Sequence, residues 1–224
     1  MTGALIFDFD GVIADSEAIA NTVLAETVTK LGHPTTLDQS LARYAGRRWD
    51  GVLAEIESAI GKPLPSDFSG DLKRATLDRF RTDLKEVSGA AQFIRRFSHL
   101  PRCIASSSSI DRLQLCLEVL ALEAEFGDHV YSADMVARGK PHPDIFLFAA
   151  ERLGVSPEQC LVIEDSAGGI KAAVAAGMTA VGLCAASHIR DGHDTKLRDA
   201  GAVHLAPSWV EVERFALEFL AMPR

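Results

Sequence analysis

The chain's 224 residues are enough to bury a full core and leave room for a second, smaller unit. Hydrophobic content of 47%, charged content of 24% and a formal net charge of −8 exclude a fibrous or disordered chain and argue against a nucleic-acid or anionic-membrane partner. Cys103, Cys116, Cys160 and Cys184 lack CxxC spacing and sit among apolar residues, which reads as reduced core thiols in a cytoplasmic protein.

The first element is the apolar run Ala4-Leu5-Ile6-Phe7, closed by Asp8-Phe9-Asp10-Gly11. So short a run, ended by two carboxylates and a glycine, predicts a buried parallel strand delivering both acids to a crevice. Side-chain alternation along an extended chain would put Asp8 and Asp10 on one face, where two like charges share a proton or are neutralised by a cation such as Mg2+. The two acids also break the apolar stretch too early for a signal peptide, and no run is long enough to span a membrane.

Asp15-Ser16-Glu17 offers capping residues for a helix carrying Ile19, Val23, Leu24, Val28 and Leu31. Helical patterns continue from Leu37 to Tyr44, Trp49 to Ile60 and Asp67 to Leu84, broken at Gly46 and at Gly61-Lys62-Pro63. A helical block this long does not fit a simple crossover. It predicts an inserted helical domain at 16–87, with 1–15 and 88–224 forming the core.

From Gly89 strand and helix alternate. Strands are expected at 101–105, 129–132, 161–163, 179–184 and 203–205, and helices at 90–97, 111–120, 143–153, 167–176 and 209–220. This pattern predicts an α/β fold with a doubly wound parallel sheet, in which ligands sit at the carboxyl ends of the strands.

Three later strand ends or loops carry suitable polar groups. Ser106 and Ser107 can hold phosphate oxygens through hydroxyl and N–H groups, Lys140 can offset negative charge, and Glu164-Asp165 can complete a cation site. Taken singly, a serine run is commonly a turn, Gly-Lys-Pro a loop and Glu-Asp-Ser a helix start.

In this order the segments Asp8-Phe9-Asp10-Gly11-Val12, Ile104-Ala105-Ser106-Ser107, Gly139-Lys140-Pro141-His142-Pro143-Asp144 and Ile163-Glu164-Asp165-Ser166 resemble the four motifs of the haloacid dehalogenase superfamily. The helical block is similar to the small cap of its β-phosphoglucomutase-like branch. The resemblance implies that Asp8 is the nucleophile, forming an aspartyl-phosphate, and that Asp10 is the general acid and base. It also implies that Ser106, Ser107, Lys140 and Gly11 hold the phosphoryl group, and that Asp8, the backbone carbonyl of Asp10, Asp165 and Glu164 bind Mg2+, Glu164 through a water. An acid at Asp10 disfavours the dehalogenating and phosphonate-cleaving branches. The expected activity is a Mg2+-dependent phosphatase acting on a small phosphorylated metabolite, a sugar or sugar-acid phosphate. The alternatives are a sugar-phosphate mutase and a silent binding module. Mutases carry a histidine and a cap arginine where Ala20 and Trp49 stand here. Arg47, Arg48, Trp49, Lys73 and Arg74 are the candidates for substrate specificity, with solvated surface charge or cap core as their plain alternative. His142 reads as a loop residue, and His188 and His193 have no recognisable ligand spacing.

Overall fold

The computed structural model describes residues 3–222. The opening strand β1 (Ala4–Phe7) is wholly buried. Its chain then turns at Phe9, whose carbonyl accepts from the N–H groups of Ile13 and Ala14.

Ser16–Leu84 form a compact unit of their own, made of four helices: α1 (Glu17–Lys30), α2 (Leu37–Tyr44), α3 (Trp49–Ile60) and α4 (Phe68–Asp83). The unit has its own core of Val23, Leu24, Val28, Tyr44, Val52, Ile56, Phe68 and Leu72. Within it Ser40 Oγ donates 2.9 Å to Asn21 Oδ1 in a buried bond, and Thr36 and Gln39 form a capping box at the start of α2. Ser16 occupies the N-cap of α1, yet its side chain caps nothing.

The second unit comprises residues up to Asp15 and from Lys85 on. It resumes three residues before the expected position 88, because Lys85–Val87 pair with the post-β1 turn. Asp15 N–H donates to Lys85 O at 2.9 Å and Val87 N–H to Ile13 O at 2.8 Å. The chain continues through α5 (Ala90–Arg96), β2 (Arg102–Ser106), α6 (Ile110–Leu120), α7 (Glu123–Phe126), β3 (Val130–Ser132) and α8 (Asp144–Leu153). It ends with β4 (Cys160–Glu164), α9 (Ala167–Ala175), β5 (Thr179–Leu183), α10 (His193–Asp199), β6 (His204–Ala206) and α11 (Trp209–Ala221). The short α7 and α10 were not foreseen.

All strands run parallel in the order β3-β2-β1-β4-β5-β6. The fold class is therefore as expected. The chain winds outward from β1 to β3, then crosses back to β4 on the other side, so the switch point lies at the carboxyl ends of β1 and β4. Alternation along β1 serves two cores. Ala4 and Ile6 pack with Phe146, Ala149 and Ile170 of α8 and α9. Phe7 instead meets Phe93 (6.0 Å between centroids), Phe126 (5.8 Å) and Trp209 (6.1 Å). A strand covered on both faces has no polar side, which is why β1 reads as a continuous apolar run.

Among the described residues no helix is long and apolar enough to cross a membrane. All four cysteines are free, with Cys103, Cys116 and Cys160 buried.

Candidate active site

The register sets the site. Phe7 pairs with Ile104 of β2 and Ile163 of β4, so Asp8, Ser106 and Glu164 arrive at the same edge of the sheet. Asp8 lies just past the strand, its N–H still bonded to Ile163 O at 2.9 Å. Lys140 Nζ donates 2.7 Å to Asp8 Oδ1 and 2.7 Å to Glu164 Oε1, and rests 4.9 Å from the centre of the Phe146 ring. Glu164 is fully buried and uses its other oxygen to accept from Ser166 N–H (2.7 Å) and Ser166 Oγ (2.9 Å). Ser166 Oγ in turn caps α9 by accepting from Gly169 N–H.

Asp8, Glu164 and Asp165 bring carboxylate oxygens within 4.8 Å of one another. Burial pushes the Asp8 carboxyl well above its ordinary value, with the charges of Glu164 and Asp165 adding to the effect and Lys140 opposing it. Burial pulls the Lys140 ammonium down, but Asp8 and Glu164 outweigh it and hold the group above its ordinary value, so the lysine stays charged. One ammonium cannot balance three buried carboxylates. An all-oxygen donor set with this excess of negative charge fits a hard divalent cation.

Asp10, expected to share its face with Asp8, is not a member of the convergent cluster, which is made of Asp8, Glu164 and Asp165. Alternation holds only while the chain is extended, and β1 ends at Phe7. The Asp10 carboxylate is instead held by Ser108 Oγ and the Arg112 guanidinium, each donating at 2.5 Å. Ser108 lies in the loop after β2 and Arg112 in the first turn of α6. That loop is pinned in turn, because Ser106 Oγ accepts from Ser108 N–H (3.1 Å) and Ser132 Oγ donates to Ser108 O (2.8 Å). Ser106 is buried and Ser107 exposed.

Asp15 does not cap α1. Its Oδ1 accepts from Ser187 N–H (3.0 Å) and Ser187 Oγ (2.9 Å), drawing the segment after β5 toward the same edge. There His188 Nε2 lies 3.3 Å from Asp165 Oδ2, and His193 Nε2 donates 2.6 Å to Asp165 O. Ser108, Arg112, Ser187, His188 and His193 are thus site residues that the sequence reading did not assign. Arg112, in the first turn of α6, follows the loop residue Ser108 by four positions, and no helical spacing links the two.

Gly11 adopts φ +75°, and a Cβ there would collide with the Asp165 carboxylate and the His188 ring. Gly11→Ala is expected to lose roughly 1–3 kcal/mol of stability to backbone strain, plus most cation affinity as Asp165 is displaced. Urea denaturation with and without Mg2+ measures both losses; a variant matching the parent would remove this role for Gly11.

The specificity candidates lie in the helical unit. There Arg47 is paired with Glu55, and Arg74 with Asp67 and Asp71. Trp49 stacks on Phe68 at 6.5 Å and donates through Nε1 to Ser69 Oγ. Arg48 and Lys73 are exposed.

A sheet of this order with an acid, a lysine and an acidic pair at its carboxyl edge defines a hydrolase of one family. The family model described as haloacid dehalogenase-like hydrolase matches residues 2–177, and the chain belongs to that family. The expected class, phosphoric monoester hydrolase, is borne out by this membership and by relatives named as phosphatases. The chain is 31% identical over 177 residues to a fructose-1-phosphate phosphatase of Escherichia coli K12, covering 79% of this chain and 94% of that one. It is 31% identical over 205 residues to a phosphorylated carbohydrates phosphatase of Thermotoga maritima, covering 90% and 93%. Among solved structures it resembles a family hydrolase from Deinococcus radiodurans R1, crystallised with bound phosphate and sodium, with 35% identity, a TM-score of 0.85 and coverage of 100% and 99%.

Proposed function

We propose that the protein is a cytoplasmic, Mg2+-dependent phosphatase that hydrolyses a small sugar or sugar-acid phosphate through an aspartyl-phosphate on Asp8. The observation that carries this reading is the Asp8 carboxylate, gripped by Lys140 and set against Glu164 and Asp165 at the switch point of the sheet. Asp8 is assigned the attack on phosphorus. The bond from phosphorus to the sugar oxygen breaks as Asp10 gives that oxygen a proton, leaving alcohol and phospho-Asp8. Asp10 then takes a proton from water as it attacks the phospho-Asp8, which releases phosphate and restores both acids. Ser106 Oγ and the Ser107 N–H are assigned to the phosphoryl oxygens; Gly11, expected to join them, spends its N–H on Ala14 O at 2.7 Å. Lys140 favours the ionised form of Asp8 against the opposing effect of burial and offsets charge on the transferring group.

Asp8 and Asp165 are the assigned ligands, with the Asp10 carbonyl and, through a water, Glu164. Mg2+, when bound, supplies the positive charge that the three carboxylates and the phosphoryl oxygens require. Excess EDTA is expected to abolish turnover and Mg2+ to restore it, with Ca2+ a poor substitute because of its larger, looser coordination shell. The direct test is a panel of hexose, pentose and sugar-acid phosphates assayed with Mg2+ and with EDTA. Activity indifferent to chelation, or none on any ester, would sink the reading.

The helical unit is assigned the role of the cap that selects substrate. Arg47, Arg48, Trp49, Lys73 and Arg74 remain its candidates, although Arg47 and Arg74 already engage carboxylates. The names of the relatives support a carbohydrate phosphate as substrate. Mutase activity is disfavoured because Ala20 and Trp49 stand where mutases carry a histidine and an arginine.

A further inference from the structure

The segment from Cys184 to Gly192 joins β5 to α10 and is tied down at points that a plain connection would not need. Ser187 fastens it to Asp15, beyond β1. Two further contacts, from His188 and from the adjoining His193, converge on Asp165. His188 approaches carboxylate Oδ2 at 3.3 Å, while His193, the first residue of α10, donates from Nε2 to the backbone carbonyl at 2.6 Å. The two rings meet edge to face with centroids 6.0 Å apart. Both partners are shielded, the His188 side chain being 11% exposed and that of Asp165 6%.

Asp165 is one of three side chains whose oxygens converge in the acidic cluster. A carboxylate beside two others is driven by repulsion to rotate away, and it has two torsions with which to do so. Contacts to one carboxylate oxygen and to the backbone carbonyl restrain both the side chain and the peptide that carries it. Gly11 closes the remaining side, since a methyl group there would strike the same oxygen and the same imidazole.

We propose that His188 and His193 are positioning residues that hold Asp165 in its cation-binding conformation, so that a loop outside the acidic cluster sets the affinity of the cluster. This inference rests on the reading of Asp8, Glu164 and Asp165 as a Mg2+ site. Outer partners of metal ligands typically control affinity by 10–100-fold, by removing the freedom that the ligand would lose on binding. His188 acts through Asp165 rather than as a ligand, because no ring nitrogen of His188 belongs to the group of mutually close ligand atoms.

The test is Mg2+ binding to the full chain by calorimetry, without substrate, for the parent and for His188→Ala, His188→Gln, His193→Ala and His193→Gln. Each alanine variant should weaken Mg2+ binding at least about tenfold. The glutamines, whose amide nitrogen reaches about as far as Nε2, should recover most of the loss. The Mg2+ concentration giving half-maximal turnover should rise in step with Kd, a correlation that a merely structural role would not produce. Should an alanine variant fail to fold, its glutamine counterpart carries the comparison against the parent, binding Mg2+ within about threefold. Parent-like binding by both folded alanine variants overturns this proposal and leaves the Mg2+ reading standing. A parent that binds no Mg2+ overturns both. Loss confined to Mn2+ or Zn2+, with Mg2+ affinity kept, would make His188 a direct ligand and likewise overturn the positioning role.

Discussion

Asp8→Asn should turn over phosphomonoesters at less than about one-thousandth of the parent rate, while melting at or above the parent's temperature when both are free of divalent cation. The first half follows from chemistry, since an amide oxygen is a poor nucleophile toward phosphorus and a poor cation ligand. The second half follows from the electrostatics of the site. Burial and two neighbouring carboxylates already disfavour the charged form of Asp8, so a neutral group of the same shape removes repulsion. Losing one partner of a buried ion pair is normally costly because the other charge is stranded. Here Lys140 keeps Glu164 at 2.7 Å. Calorimetry on the cation-free proteins and a phosphate-release assay measure the two halves. Near-parent turnover would end the nucleophile assignment, and a large fall in melting temperature would mean that Lys140 depends chiefly on Asp8.

Asp10→Asn should separate substrates by their leaving group. For a sugar phosphate, whose alkoxide needs a proton to depart, kcat/KM should fall roughly 10²–10⁴-fold. For 4-nitrophenyl phosphate, whose phenolate leaves unaided, kcat/KM should be largely spared, because that ratio covers only the steps through loss of the leaving group. The kcat for both should still fall, since water attacking phospho-Asp8 loses its base. The aryl ester should therefore give a burst of about one nitrophenolate per active site, followed by slow turnover. Arg112→Ala should reproduce the pattern more weakly, because Arg112 and Ser108 orient the Asp10 carboxylate. Equal losses on both substrates would remove the general-acid role from Asp10.

The sheet could be read from the sequence because parallel strands buried on both faces leave short apolar runs, such as Ala4–Phe7 and Leu161–Ile163, that few other structures produce. The helical unit was equally visible through its spacing. The helix α10 was not, since His193–Asp199 contains one buried apolar residue, Leu197, and so has no periodicity to detect. At the site, Asp8, Ser106, Lys140, Glu164 and Asp165 are all found at the carboxyl edge or in the loops above it. What escaped the sequence was the pairing among them. The partners of Asp10, Asp15 and Asp165 lie far along the chain, at Arg112, Ser187, His188 and His193. Such contacts depend on which strand neighbours which, and local patterning carries no record of that. The same limit applies to Arg47, whose pairing with Glu55 depends on how α2 meets α3.

The place of β1 in the sheet also fixes the order in which this protein can be assembled on the ribosome. Leu5 pairs with Arg102 on one side and with Leu161 on the other, so this central strand is made before either neighbour, and the second of them follows it by more than 150 residues. Until then a fully apolar strand waits with at least one open hydrogen-bonding edge, a condition that favours aggregation. The helical unit, with contacts close in sequence and a core of its own, can condense first while the sheet is incomplete. Nascent chains released before Cys160 should therefore hold a formed helical unit attached to a strand with one edge still open and dependent on chaperones, and Asp8 gains its β4 neighbours only when that strand is added.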